Sequence, residues 1–225
     1  MKVIDLYCKA GGASKGLAKA FPDAEIFGVD IKPQPNYPFN FILGNALEVD
    51  LEGFDFIWAS PPCQKHTTLK GAAWDKEAYA SKHVDLIPAT RLKVQKTGKP
   101  YTIENVPGAP LLNPVLLCGS HFGLRTKNGH QLRRHRLFET NFLVKPVGFC
   151  SHTSPTIGIF GNKARNTAAE KRHYSKPSHL RGTPPKTILL SLQDAREAMG
   201  IDWMSFAELS EAIPPVYAQW IAESL

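Results

Sequence analysis

Cysteine is scarce in this chain, and none of it lies in a close pair. Cys8, Cys63, Cys118 and Cys150 are the only four in 225 residues, with no CxxC among them. That spacing argues against a disulfide framework or a zinc ribbon and fits free thiols in a reducing compartment. No apolar run approaches the roughly 18 residues of a membrane span, and a strand pattern begins almost at Met1 with no signal peptide before it. The expectation is a cytoplasmic protein with no membrane partner. Internal repeats and low-complexity tracts are also missing. The first glycine turn lacks a full GxGxxG, which counts against a Rossmann-type dehydrogenase.

Acidic side chains are short in one region. Residues 121–190 carry thirteen Lys and Arg against only Glu139 and Glu170, a local balance of +11; the whole chain is +7, so the remainder is −4. Such a split suggests a basic face for a polyanion joined to a neutral or acidic catalytic body, against the plainer reading of a soluble, basic loop region.

What is present has the order of an α/β protein. Val3–Cys8 is an apolar run followed by Gly11-Gly12 and an amphipathic stretch from Lys15 to Phe21, which reads as strand, glycine turn, helix. Glycines there let backbone approach a ligand and aim helix N–H groups at it. A second strand, Glu25–Val29, ends at Asp30, roughly twenty residues beyond the turn, where nucleotide-binding folds place an acid for ribose hydroxyls. Phe39–Leu43 and Phe54–Ala59 read as strands three and four, Asp85–Lys96 as a helix, Tyr101 to Pro107 as a fifth strand, and Val115–Cys118 as a sixth. Helices are expected from Ser191 to Met199, closed by Gly200, and over about Val216–Leu225. Strands alternating with helices predict a mostly parallel sheet, whose ligands gather at the carboxyl ends of the strands. Asp30, Asn45, Cys63 and Glu104 all fall at such ends. The polar stretch Thr67–His83 reads as a loop able to close over a substrate, and residues 141–187 as a long functional or disordered loop.

Phe54-Asp-Phe-Ile-Trp-Ala-Ser-Pro-Pro-Cys-Gln64 is the most informative stretch. Two prolines at a strand end stop the ladder and stiffen the turn that presents Cys63. A lone cysteine is more often a small core residue, so its meaning depends on its surroundings. Arg134 and Arg136 alternate and would share a face if extended; a basic edge strand is the bland alternative. Cys150-Ser-His152 is the only close pair of metal-ligand types, and with Cys118 and His173 it could in principle gather zinc. Without a second close pair, no metal site is expected. Cys8, Trp58, Trp203 and Trp220 read as core residues.

Taken together, these segments resemble the DNA cytosine-5 methyltransferase family in its short, bacteriophage-like form. Asp5-Leu-Tyr-Cys-Lys-Ala-Gly-Gly12, Pro61-Pro-Cys-Gln64, Glu104-Asn-Val106, Arg134-His-Arg136-Leu-Phe138 and Ser210-Glu-Ala-Ile-Pro-Pro-Val-Tyr-Ala218 resemble five of its motifs, in the family's order. The pairing of Pro-Pro-Cys-Gln with Glu-Asn-Val about forty residues later carries most of the weight. The resemblance implies a Rossmann-like, S-adenosylmethionine-dependent sheet formed by residues 1–140 and 188–225, with a small, irregular target-recognition region at 141–187. It implies Cys63 as nucleophile at cytosine C6, Glu104 at N3, Arg136 at O2, and Arg134 at the same site or a nearby phosphate. S-adenosylmethionine would be held by Asp5, Tyr7, Lys9, Ala10, Gly11, Gly12, Asp30, Ile31, Asn45, Ala46, Pro61, Glu211 and Ala212. The substrate would meet Pro62, Gln64, Asn105, Val106, Arg133, Lys163 and Arg165. The implied partner is double-stranded DNA with its target base flipped out, bound by a monomer in the cytoplasm, the host's if the chain is phage-encoded.

The sequence departs from the family pattern at Lys9, usually glycine, at Asn45, often aspartate, and at Ser210-Glu211, commonly Gly-Asn. Leu132 stands where a glutamine is usual, with Gln131 beside it. Lys9 places a cation near the methionine end of the cofactor, which raises the alternative of a carboxylated S-adenosylmethionine. Transfer RNA is the alternative substrate, and a catalytically silent nucleic-acid-binding homologue is the non-enzymatic one.

Overall fold

Short apolar runs pair side by side into one sheet, whose central strands, Lys2–Leu6, Phe56–Ala59 and Tyr101–Asn105, are buried on both faces. In the computed structural model, which describes residues 1–66, 83–153, 155–160, 163–166 and 189–225, the parallel part comprises β1 (Lys2–Leu6), β2 (Glu25–Asp30), β3 (Asn40–Leu43), β4 (Phe56–Ala59) and β5 (Tyr101–Asn105). Three strands follow: β6 (Val115–Leu117), β7 (Gln131–Leu132) and β8 (Arg136–Thr140). The sheet runs β3-β2-β1-β4-β5-β8-β6, with β8 inserted antiparallel to both of its neighbours. The expected mostly parallel sheet is therefore mixed. The cause is a non-local pairing, Glu104 opposite Phe138, that no local pattern announces.

Alternate residues feed opposite faces, as the period of two requires. Val3, Phe56 and Trp58 enter one core with Leu17 of α1 (Gly12–Ala20) and Tyr217 and Ile221 near the C-terminus; Ile4, Leu6, Ile57 and Ala59 enter a second core with Ile87 and Val94 of α2 (Ile87–Gln95). At Gly16 a Cβ would stand 2.0 Å from the Pro215 carbonyl oxygen, so α1 lies in close backbone contact with the C-terminal helix.

The C-terminal helices are cut by standard caps. Ser191 accepts from the Asp194 N–H and Asp194 reaches back, starting α3 (Leu192–Met199), and Gly200 ends it at φ 66°. Ser205 and Glu208 repeat the device for α4 (Phe206–Glu211), a helix absent from the sequence expectations. Proline at the first turn starts α5 (Pro215–Ala222). A second sheet runs β11 (Leu189–Leu190), β10 (Lys163–Asn166), β9 (Thr156–Phe160), β7, and thus draws strands from both sides of residues 141 and 187. Leu132, Ile157 and Ile159 of this sheet pack with Ala195, Met199 and Leu209 in a third core. The loop anticipated at residues 67–83 lies, except for His83, outside the described residues, as does much of 141–187. No helix among the described residues is long and apolar enough to cross a membrane.

Candidate active site

The sheet's strand order reverses at β1 and β4, and a cavity of about 280 Å³ opens at the carboxyl ends of the strands there. One end is built by the turn after β1. Tyr7, Lys9 and Gly11 all take left-handed φ, at 63°, 48° and 84°, so the chain folds sharply between strand and helix. Glycine adopts such a φ without penalty, whereas Lys9 has a Cβ to accommodate. Its ammonium lies 3.4 Å from Glu211 Oε2, bridging the turn to α4. Trp203 Nε1 donates to the Ala10 carbonyl at 2.9 Å, a second tie from the C-terminal segment.

Asp5 lies beneath this turn, 1% exposed. Its Oδ2 accepts from Ser14 Oγ at 2.5 Å, while Oδ1 has no hydrogen-bond partner among the described residues, although Asp5 lines the cavity. Burial pushes its pKa up to about 7, against the lowering effect of Ser14. Asp30, at the end of β2, accepts from the Lys9 and Lys32 backbone N–H groups at 3.2 and 3.0 Å. Asn45 accepts from the Leu47 N–H and donates to Glu48, so its amide caps the local turn. One Nδ2 hydrogen and a second lone pair on Oδ1 are left for the adenine edge expected of it. Ile31, 71% exposed, and Ala46 complete this wall.

The other end is built by β4 and β5. Asn105 Nδ2 donates to the Pro61 carbonyl at 2.9 Å, which fixes the Ser60-Pro-Pro-Cys63 turn to β5. Cys63 is half-buried, and burial raises its thiol pKa; Glu104 adds to the rise and Arg136 opposes it. Glu104 is buried, which raises its carboxyl pKa against the pull of Arg136, whose Nε lies 3.0 Å from Oε1. The antiparallel register of β8 on β5 produces this pair by setting Asn105 opposite Leu137. Pro62, Gln64 and Val106 line the same cavity. The arrangement joins a nucleophile, an acid with a raised pKa and a permanent cation on one rim.

Of the expected site residues, Asp5, Tyr7, Lys9, Gly12, Asp30, Ile31, Asn45, Ala46, Pro61, Pro62, Cys63, Gln64, Glu104, Val106, Arg136, Glu211 and Ala212 line this one cavity. Ala10, Gly11 and Asn105 stand behind it as backbone supports. For Arg134 the shared strand face is corrected. Residues 133–135 lie outside both strands, so its side chain does not share a face with Arg136; it is 6% exposed and donates from Nη2 to the Ser210 carbonyl at 2.6 Å. Burial lowers its pKa to about 9, and the group ties the 133–135 segment to α4 while lying near enough to Cys63 and Glu104 to favour their charged forms. Arg133 likewise donates to the His152 carbonyl at 2.8 Å. Lys163 and Arg165 fall in β10, with side chains outside the description. Cys8 is 5% exposed, as a core residue should be, yet it follows β1 and touches the cavity. The structure adds Ser60, which hydrogen-bonds Glu104, and Leu86, Ser210 and Ile213. Ser60 was readable from its place before Pro61, and Ser210 and Ile213 from the closing motif; Leu86 carries no local signal. Of the metal-ligand types weighed from the sequence, Cys118, Cys150 and His152 are brought together, with His135 as the fourth group, while His173 lies outside the described residues.

No family model matches the chain. Over 124 residues it is 29% identical to the tRNA (cytosine(38)-C(5))-methyltransferase of Homo sapiens and 31% identical to that of Bos taurus, each match taking 48% of this chain. The chain spans about a third of those relatives' length, 31% in each case. Among solved structures it is similar to the Entamoeba histolytica methyltransferase EhMeth, with TM-score 0.61 and 10% identity over 100% of this chain and 97% of the other. The S. pombe Dnmt2 methyltransferase gives TM-score 0.58 and 12% identity over 99% and 97%, and a Spodoptera frugiperda DNMT2 mutant 0.54 and 14% over 97% of each. The chain has the Rossmann-like α/β fold of these methyltransferase structures, built on a mixed central sheet, and its sequence match to the two cytosine-5 methyltransferases covers about half of it, 48%.

Proposed function

We propose that the protein methylates C5 of cytosine in RNA of the transfer-RNA class, through a covalent bond between Cys63 and the base. The observation that carries this reading is the convergence of Cys63, Glu104 and Arg136 on the rim of the cavity that Asp5, Asp30 and Ile31 line. The cavity residues fit S-adenosylmethionine. The unpartnered Asp5 Oδ1 suits its ammonium, Asp30 its ribose hydroxyls, and Ile31 with Ala46 its adenine ring. When bound, it would supply an electrophilic methyl group for transfer.

C5 of cytosine is a poor nucleophile until electron density is pushed into the ring. The Cys63 thiolate adds to C6, forming a C–S bond, and Glu104 gives a proton or strong hydrogen bond to N3 as negative charge develops there. Its pKa, raised by burial, makes protonation of the carboxyl easier for that task. Arg136 faces O2 and favours the thiolate. C5 then takes the methyl group, a base removes the C5 proton, and the C–S electrons return to sulfur, freeing Cys63. Plain methyl transfer is favoured over a carboxylated donor because Glu211 already neutralises Lys9 at 3.4 Å.

The tRNA assignment rests on the human and bovine relatives. Duplex DNA bound by a monomer is the second reading, favoured by the five motifs in the order of the DNA family. Isotope-labelled S-adenosylmethionine is incubated with tRNA and, separately, with duplex DNA, followed by mass spectrometry of the nucleosides. The expected product is 5-methylcytidine from tRNA and none with Cys63→Ala. Modification of DNA alone would select the second reading, and product from the Cys63→Ala protein would overturn the mechanism.

A further inference from the structure

Outside the residues that line the cavity, four ligand-type side chains from three separate segments converge. Cys118 follows β6 and caps the 3-10 turn Gly119–Phe122, His135 precedes β8, and Cys150 and His152 lie in the stretch 143–153, which holds neither helix nor strand. Cys118 Sγ is 3.4 Å from His152 Nε2, and Cys150 Sγ is 3.7 Å from His135 Nε2. All four ligand atoms lie within 4.8 Å of one another. Bond lengths of about 2.3 Å to sulfur and 2.0–2.1 Å to nitrogen in a tetrahedron separate ligand atoms by about 3.3–3.8 Å. The two thiol–imidazole distances already have that value.

We propose that Cys118, His135, Cys150 and His152 bind a structural zinc ion that staples the 143–153 stretch to the catalytic sheet. Two thiolates and two imidazoles match the soft-to-borderline preference of Zn²⁺, and a full set of four protein ligands makes a closed site without a catalytic opening. Binding releases the thiol protons of Cys118 and Cys150 to solvent and leaves the site neutral. Outer contacts hold the ligands: Ser120 Oγ donates to Cys118 Sγ at 3.3 Å, the Ser151 N–H donates to Ser120 Oγ at 3.2 Å, and the Arg133 guanidinium holds the His152 carbonyl. A stretch with no secondary structure gains its anchorage from such a node, as small metal-dependent folds do. Cys63 and Cys8 belong to the cavity described above and take no part.

The test uses the full chain and zinc itself. Metal is stripped with a chelator under reducing conditions, and alkylation of each cysteine is followed by peptide mass spectrometry with and without added Zn²⁺. Zinc is expected to slow modification of Cys118 and Cys150 roughly tenfold or more while leaving Cys63 unchanged. Elemental analysis should find one zinc per chain, and Co²⁺ in its place should give the visible absorption of a tetrahedral thiolate site. Cys150→Ser and His152→Ala should each abolish that absorption. Equal alkylation of all four thiols with and without zinc, or no tetrahedral cobalt spectrum in the unaltered protein, would overturn the proposal; being independent of methyl transfer, it stands or falls apart from that reading.

Discussion

At the scale of single residues, the site is a set of opposed electrostatic influences on one thiol. Arg136 favours the Cys63 thiolate and Glu104 disfavours it, while burial raises the pKa of both Cys63 and Glu104. Substitutions at the two partners should therefore move Cys63 in opposite directions. Arg136→Ala should slow alkylation of Cys63 at a fixed pH near 8, and Glu104→Gln should speed it. Methyl transfer should fall in both, by roughly 10²–10⁴-fold for Glu104→Gln, whose amide cannot supply the N3 proton. A common direction of change in the alkylation rates would contradict the assignment. Asp5 makes a different prediction. Its folded pKa is raised from 3.8 to about 7, so between these values the native state binds more protons than the unfolded chain. Stability is then lost as pH rises through that window. Asp5→Asn should raise the melting temperature at pH 8 more than at pH 5, and it should weaken S-adenosylmethionine binding in calorimetry. A melting temperature equally changed at both pH values would show that the carboxyl charge is not the cause.

At the scale of elements, the carboxyl ends of the strands position the chemistry. Asn105 on β5 holds the Pro61 carbonyl, and this bond keeps the Cys63 turn beside Glu104. Asn105→Ala leaves that carbonyl without its buried donor, at a cost of about 1–3 kcal/mol in stability. Chemical denaturation should show that loss, with kcat reduced more than the affinity for S-adenosylmethionine, whose proposed contacts follow β1, β2 and β3. The strand ends were legible because each apolar run stops at a polar residue: Asp30, Asn45, Glu104, and the Pro-Pro turn ahead of Cys63. Helix α3 was equally legible, with Ser191 and Gly200 marking its two ends. Helix α4 was not, since six residues offer too little periodicity to stand out. The place of Arg134 was also hidden, because alternation predicts a shared face only inside a continuous strand, and β7 stops at Leu132 while β8 starts at Arg136.

At the scale of the whole molecule, one sheet edge gathers residues spread from Asp5 to Ala212. Order along the chain was enough to anticipate this for the parallel strands, whose ends all point one way. The antiparallel insertion of β8 could not be read locally, although it alone brings Arg136 to Glu104. The same non-local folding assembles Cys118 with His135, Cys150 and His152, only two of which are close in sequence. Binding of a polyanion by the basic segment should weaken as salt rises, whichever nucleic acid is bound, so salt dependence does not test the chemistry. A mechanism-based trap does. Cytosine carrying fluorine at C5 has no C5 proton to lose, so once methylated it cannot release the enzyme. With tRNA containing 5-fluorocytosine and S-adenosylmethionine, a denaturation-resistant protein–RNA adduct should accumulate, map by mass spectrometry to Cys63, and vanish in Cys63→Ala. An adduct on Cys8, Cys118 or Cys150, or none while ordinary tRNA is methylated, would contradict the account.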